Sequence, residues 1–222
     1  MPRQAVIFDM DGVLVDSYHA HYEAWKRLGQ EHGLTMTEQQ FAATFGRTSA
    51  DIIDALWPGQ ADAADIPAWD DHKEAVYREI LRERFPAMDG AAELLQALAR
   101  ADFALAIGSS GPPENVQLVL ECLPGAESIA ASVTGRDVTR GKPDPQVFLI
   151  AAQRLSVEPQ YCAVVEDAPA GVQAARRAGM TAIALTGTAD RATLAADAHI
   201  VVDRLCELTP ETISQAILAR AG

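Results

Sequence analysis

Cysteine is scarce in this chain. Cys122, Cys162 and Cys206 are scattered, with no C-x-x-C spacing. That scatter argues against a disulfide framework or structural zinc site, and a reducing cytoplasm is the expected compartment. Long apolar runs are missing too, and none approaches the roughly 20 residues of a membrane span. Met1-Pro2-Arg3-Gln4 precedes the first apolar segment and leaves no room for a signal peptide. Positive charge is also short: 18 Lys and Arg stand against 31 Asp and Glu, for a net charge of −13. Such a field repels polyanions, which argues against nucleic acid and anionic membranes as partners. A small anion in a locally positive site remains compatible with it. Neither G-x-x-x-x-G-K-[S/T] nor G-x-G-x-x-G occurs, so nothing supports an unrelated nucleotide-binding protein. There is no internal repeat.

What remains is globular. Hydrophobic residues make up 49% of 222 positions, enough for one large α/β domain or a core carrying a smaller insert. Val6-Ile7-Phe8 reads as a short buried strand. The spacing then predicts helices over Tyr18 to His32, capped by Asp16 or Ser17 and ended by Gly33, and over Thr37 to Phe45, Ser49 to Trp57 and Pro67 to Phe85. No strand is evident between Ser17 and Phe85. From Ala91 the pattern alternates. Helices are expected at Ala91 to Arg100, from Pro112-Pro113 through Leu120, at Gln146 to Leu155, at Pro169 to Ala178 and at Pro210 to Arg220. Strands are expected at Phe103 to Ile107, Ile129 to Val133, Cys162 to Val165, Thr181 to Leu185 and His199 to Val202. That alternation argues an α/β fold, a parallel sheet with helices on both faces, with the helical block inserted as a second domain.

Polar residues cluster where the predicted strands end, which is where open α/β sheets gather ligands. Asp9 and Asp11 follow the first strand. Two carboxylates about 4 Å apart repel by roughly 4 kcal/mol at an effective dielectric near 20, which a divalent metal would offset. A pair of solvated loop aspartates is the plain alternative. Ser109-Ser110-Gly111 precedes a helix start whose free N–H groups suit phosphate oxygens, or is an ordinary cap. Gly141-Lys142-Pro143 puts one of only three lysines in a stiff loop, as a ligand for an anion or as a surface charge. Glu166-Asp167 closes the strand from Cys162, or forms another turn. Acids for a metal, with a hydroxyl and an ammonium for phosphoryl oxygens, together suit phosphoryl transfer.

Asp9-Met10-Asp11-Gly12-Val13, Ser109, Lys142 and Glu166-Asp167 resemble, in order and spacing, the four motifs of the haloacid dehalogenase superfamily. The resemblance covers nearly the whole chain. It implies a Rossmann-like parallel sheet core, residues 1–16 and 88–222, and an all-α helical cap, residues 17–87. It implies Asp9 as a nucleophile that becomes an aspartyl-phosphate, and Asp11 as the acid–base. It implies Mg²⁺ as cofactor, held by Asp9, the backbone carbonyl of Asp11, Asp167 and Glu166, with Glu166 binding directly or through water. Ser109, Ser110 and Lys142 would hold the phosphoryl group. Asp11 favours phosphate-ester or phosphoanhydride chemistry, because superfamily dehalogenases lack an acid there.

Within the superfamily the chain is most similar to the β-phosphoglucomutase-like branch. His21 and Trp25 match a His-x-x-x-Trp of its first cap helix, and Lys73 and Tyr77 match a later Lys-x-x-x-Tyr. A histidine packed beside Trp25 is the plain alternative for His21, and a solvated helix face is that for Lys73. Two departures count against a mutase. Ser49 stands where mutases carry a phosphate-gripping arginine, with Arg47 two residues away as a substitute. Pro112-Pro113 replaces their Lys-Asn. The expectation is therefore a cytoplasmic phosphatase acting on a small phosphorylated metabolite, with monomer as the default state. The alternatives are β-phosphoglucomutase, an inorganic pyrophosphatase of the same branch, and a non-catalytic phosphate-binding regulatory protein.

Overall fold

The computed structural model describes residues 2–44 and 46–221, and the chain forms two compact units, Met1–Asp16 with Pro86–Gly222 and Ser17–Phe85. The first unit opens with β1 (Ala5–Phe8). The second is helical among its described residues: α1 (Tyr18–Glu31), α2 (Glu38–Ala42), α3 (Ser49–Leu56) and α4 (Ile66–Glu83). The first unit resumes with α5 (Ala91–Arg100), β2 (Ala104–Gly108), α6 (Pro113–Cys122) and β3 (Ile129–Val133). It continues through α7 (Gln146–Leu155), β4 (Cys162–Glu166), α8 (Pro169–Arg177), β5 (Thr181–Leu185), α9 (Arg191–Ala195), β6 (Ile200–Val202) and α10 (Pro210–Ala221).

All strand pairs are parallel, in the order β3-β2-β1-β4-β5-β6. This is the α/β sheet that the alternating pattern predicts. Every residue of β1, β2, β4 and β5 is buried, as strands covered on both faces require. Small side chains on β2 make room for α7. A Cβ at Gly108 would stand 3.0 Å from the Phe148 ring and 3.2 Å from Ile7. Phe148 is thereby fully buried, which contributes roughly 1.5–3 kcal/mol. Because the order reverses around β1, the ends of β2, β1 and β4 lie side by side at the switch point.

The chain leaves and re-enters the first unit at one place. Val15 bridges to Ala87, Asp16 N–H donates to Pro86 O at 2.8 Å, and Met88 N–H donates to Leu14 O at 3.0 Å. Pro86 and Ala87 therefore belong with the first unit, two residues earlier than the sequence boundary at 87/88.

In the second unit Trp25, Leu28, Phe41, Ile52, Ile53 and Trp57 form the core, with Tyr18 and Tyr22 packed against it. A Cβ at Gly29 would lie 2.7 Å from Trp57, so α1 needs glycine beneath that indole.

Three local expectations differ from the structure. Ser17 holds the N-cap position of α1 with φ −90° and ψ −7°, and its side chain caps nothing. A helical backbone there turns the hydroxyl away from the N–H groups that an extended cap would reach. Helix α2 stops at Ala42, and Phe45, its expected end, lies outside the described residues. Helix α9 is additional to the predicted elements. Asp190 caps it by accepting Thr193 N–H at 2.8 Å, but five residues show no periodicity.

Candidate active site

Strand pairing sets the first carboxylates. Asp9 follows β1 and its N–H donates to Val165 O at 2.9 Å, continuing the β1–β4 ladder, so Asp9 lies level with Glu166, the last residue of β4. Ser109 follows β2, and its N–H donates to Val133 O at 2.9 Å. Asp9, Ser109, Glu166 and Asp167 are all buried. Asp11 lies in the turn after Asp9, where Gly12 N–H donates to Val15 O at 2.9 Å. Gly12 has φ +74°, and a Cβ there would stand 2.0 Å from Asp167 Oδ2. Glycine is required at that position both for the turn and for the approach of Asp167.

Lys142 joins the carboxylates. Its Nζ lies 2.5 Å from Asp9 Oδ1 and 2.6 Å from Glu166 Oε1, and 5.1 Å from the centre of the Phe148 ring. The loop is anchored around it. Gln146 Oε1 accepts the N–H groups of Thr139 and Arg140 at 2.9 and 3.1 Å, and Arg177 Nη1 donates to Pro143 O at 3.0 Å. Glu166 Oε2 accepts Ala168 N–H at 2.8 Å, so both its oxygens are engaged. Ser109 Oγ accepts Gly111 N–H at 3.0 Å, an orientation that leaves its proton to be donated. Ser110 is exposed.

Three buried acids face one partly buried lysine, which pairs directly with Asp9 and Glu166. Burial pushes the Asp9 carboxyl up to about 7; Lys142 opposes this and Glu166 and Asp11 add to it. Burial, with repulsion from Glu166 and Asp9, holds Asp167 well above the usual carboxylate range. Burial also works against the Lys142 ammonium, but attraction to Asp9 and Glu166 outweighs it and raises its pKa. The carboxylates therefore need more positive charge than Lys142 supplies. Asp9, Glu166 and Asp167 each offer an oxygen, and these atoms lie within 4.8 Å of one another. Hard oxygen donors with excess negative charge fit a Mg²⁺-type cation. The Asp11 side chain is not part of this cluster.

The residues expected in the cap lie in the second unit. Lys73 is buried: its Nζ is 3.0 Å from His21 Nδ1 and 2.6 Å from Glu74 Oε1, and it faces the rings of Trp25 and Tyr77. The His21 ring stacks on Tyr77 at 4.1 Å. Lys73 thus leaves the solvated face on which the run Asp70-Asp71-His72 would put it. Arg47 is exposed, in the turn before α3. Ser49 Oγ donates to Asp70 Oδ1 at 2.5 Å, linking α3 to α4.

Thr188 escaped the sequence reading. Its Oγ1 donates to Asp167 Oδ2 from the turn after β5. The one available signal was its place just past a fifth strand end.

Residues 4–179 match the family model for haloacid dehalogenase-like hydrolases. The chain is 34% identical over 214 residues to validoxylamine A 7'-phosphate phosphatase of Streptomyces hygroscopicus subsp. limoneus, covering 92% of this chain and 95% of that protein. It is 36% identical over 192 residues to hexitol phosphatase A of Escherichia coli strain K12, covering 86% of each. In fold it resembles the crystal structure of β-phosphoglucomutase from Clostridium difficile, with a TM-score of 0.83, 24% identity and 98% of both chains covered. The order of the motif residues along the chain, their meeting at adjacent strand ends and the match over residues 4–179 lead to one conclusion: this chain belongs to the haloacid dehalogenase-like hydrolases.

Proposed function

We propose that the protein is a Mg²⁺-dependent phosphatase that hydrolyses a small phosphorylated metabolite, a sugar phosphate or similar monoester, through an aspartyl-phosphate on Asp9. The observation that carries this reading is the Asp9 carboxylate at the switch-point strand end, 2.5 Å from Lys142 and clustered with Glu166 and Asp167. The named phosphatase relatives support the substrate class.

An Asp9 oxygen attacks phosphorus, the P–O bond to the leaving alkoxide breaks, and Asp11 gives that oxygen its proton. Asp11 then takes a proton from water as the water attacks the acyl-phosphate, releasing phosphate and restoring the Asp9 carboxylate. Lys142 and Ser109 hold the phosphoryl oxygens, where charge stabilisation contributes most. Glu166 orients Lys142 by binding it on one oxygen while Ala168 N–H holds the other. Asp9, Asp167 and Glu166, with the Asp11 carbonyl, would hold Mg²⁺, which supplies positive charge against the phosphoryl oxygens. Residues 17–85 act as the cap, with His21, Lys73 and Arg47 as candidate substrate contacts and Ser110 supporting the phosphate loop.

A hydrolysis panel of sugar phosphates, phosphoglycolate, nucleotides and pyrophosphate, with and without Mg²⁺, tests this reading. Metal-dependent release of phosphate from monoesters is expected, and a preference for pyrophosphate would refute the monoester assignment. Faster formation of glucose 6-phosphate than free phosphate from β-glucose 1-phosphate plus a bisphosphate would instead establish a mutase.

A further inference from the structure

Asp167 is confined from two directions. On one side Gly12 comes so close that any Cβ would collide with Oδ2. On the other, the Thr188 hydroxyl donates to that same Oδ2. Asp167 is buried whereas Thr188 is exposed, so the hydroxyl reaches the carboxylate from the solvent side. The segment that carries Thr188 is tied to the sheet edge. Thr186 N–H donates to Val202 O at 2.9 Å, Thr186 Oγ1 donates to Asp203 Oδ1 at 2.9 Å, and Gly187 N–H approaches Ala189 O at 3.5 Å. Arg191 holds Asp203 in turn at 2.9 Å. Thr188 is thus anchored through β6, away from the ends of β1, β2 and β4 and the Lys142 loop, which carry the motif residues.

We propose that Thr188 is a positioning residue for the metal site. Its hydroxyl fixes the rotation of the Asp167 carboxylate so that an oxygen is presented to the cation shared with Asp9 and Glu166. The proposal rests on the metal reading above. Mg²⁺ demands near-octahedral geometry, so a ligand free to rotate binds it less well. Hydrogen-bond partners of metal ligands typically govern affinity by about 10–100-fold.

Thr188→Val keeps the shape and removes the donor, while Thr188→Ser restores the hydroxyl. Mn²⁺ binding to the full chain without substrate, followed by electron paramagnetic resonance, reads the site independently of turnover. The Mg²⁺ concentration giving half-maximal rate is a second readout. Thr188→Val should raise the Mn²⁺ dissociation constant about 10–100-fold, with Thr188→Ser within about threefold of the parent. Parent-like binding by Thr188→Val, or equal weakening in both variants, overturns the proposal and leaves the metal site standing. A parent protein that binds no Mn²⁺ overturns the metal reading and the proposal with it.

Discussion

Gly171→Ala reverses the usual sign of a glycine-to-alanine change in a helix. Gly171 lies in the first turn of α8, where alanine would ordinarily gain up to about 1 kcal/mol. Here the new Cβ would stand 1.7 Å from Glu166 Oε1 and 2.6 Å from Oε2. Glu166 is 1% exposed and cannot yield without leaving Lys142 at 2.6 Å and Ala168 N–H at 2.8 Å. Each of these charged hydrogen bonds is worth roughly 1.5–3 kcal/mol, so the net cost after the helical gain is about 3 kcal/mol. With a urea m-value of about 2–3 kcal/mol per M, the unfolding midpoint should fall by about 1 M in metal-free buffer. Activity should fall as well, because Lys142 loses one of its two carboxylate partners. A variant as stable as the parent, or more stable, would refute the view that Glu166 is locked by this packing.

Lys142→Met leaves Asp9 and Glu166 buried without their shared cation, and should cost about 3–5 kcal/mol near neutral pH by chemical denaturation, with turnover lost. A mild stability effect would contradict the pairing. Mg²⁺ should raise the thermal midpoint of the parent, by about 2.7 kcal/mol of stability at 100 times the dissociation constant. That shift should disappear in Asp167→Asn. His199 accepts Ala182 N–H at 2.8 Å on Nδ1 and faces Arg220 at 2.5 Å on Nε2. Burial, then Arg220 and Arg176, lower its pKa from 6.5 to about 4. Between those values the unfolded chain binds the extra proton, so stability should rise from pH 4 to 6.5 and be lost as pH falls through that window. The His199 share is at most about 3 kcal/mol, reduced by solvent screening at a partly exposed ring. His199→Asn, which keeps an acceptor for Ala182, should flatten the slope, and an unchanged slope would assign it elsewhere.

Much of the architecture is legible in local sequence because each strong element announces itself by composition. Val6-Ile7-Phe8 and Cys162-Ala163-Val164-Val165 are apolar runs too short for helices, and they become adjacent central strands. Asp9 and Glu166-Asp167 could be read as candidates because the topology brings strand ends to one edge, and Lys142, in the loop between β3 and α7, because a lysine between glycine and proline is rare in this chain. Long-range packing decided what stayed hidden. Lys73 is charged and sits among acids, yet the facing aromatic surfaces of α1 and α4 enclose it. Helix α9 is too short for a period, and the reach of Thr188 to Asp167 depends on the turn after β5 being pinned to β6. At Ser17 the sequence has the right residue for a cap, but the backbone enters the helix already helical and removes that use.

The proposed role of Asp9 as nucleophile can be tested directly, by trapping its phosphorylated form. The Mg²⁺-loaded enzyme is mixed with a hydrolysable sugar phosphate, quenched in acid within one turnover, and reduced with borohydride before peptide mapping. Homoserine at position 9, absent without substrate, is the predicted result, and Asp9→Asn should show neither the label nor turnover. Rapid phosphate release with residue 9 unmodified, or sustained Mg²⁺-dependent turnover by Asp9→Asn, would contradict it.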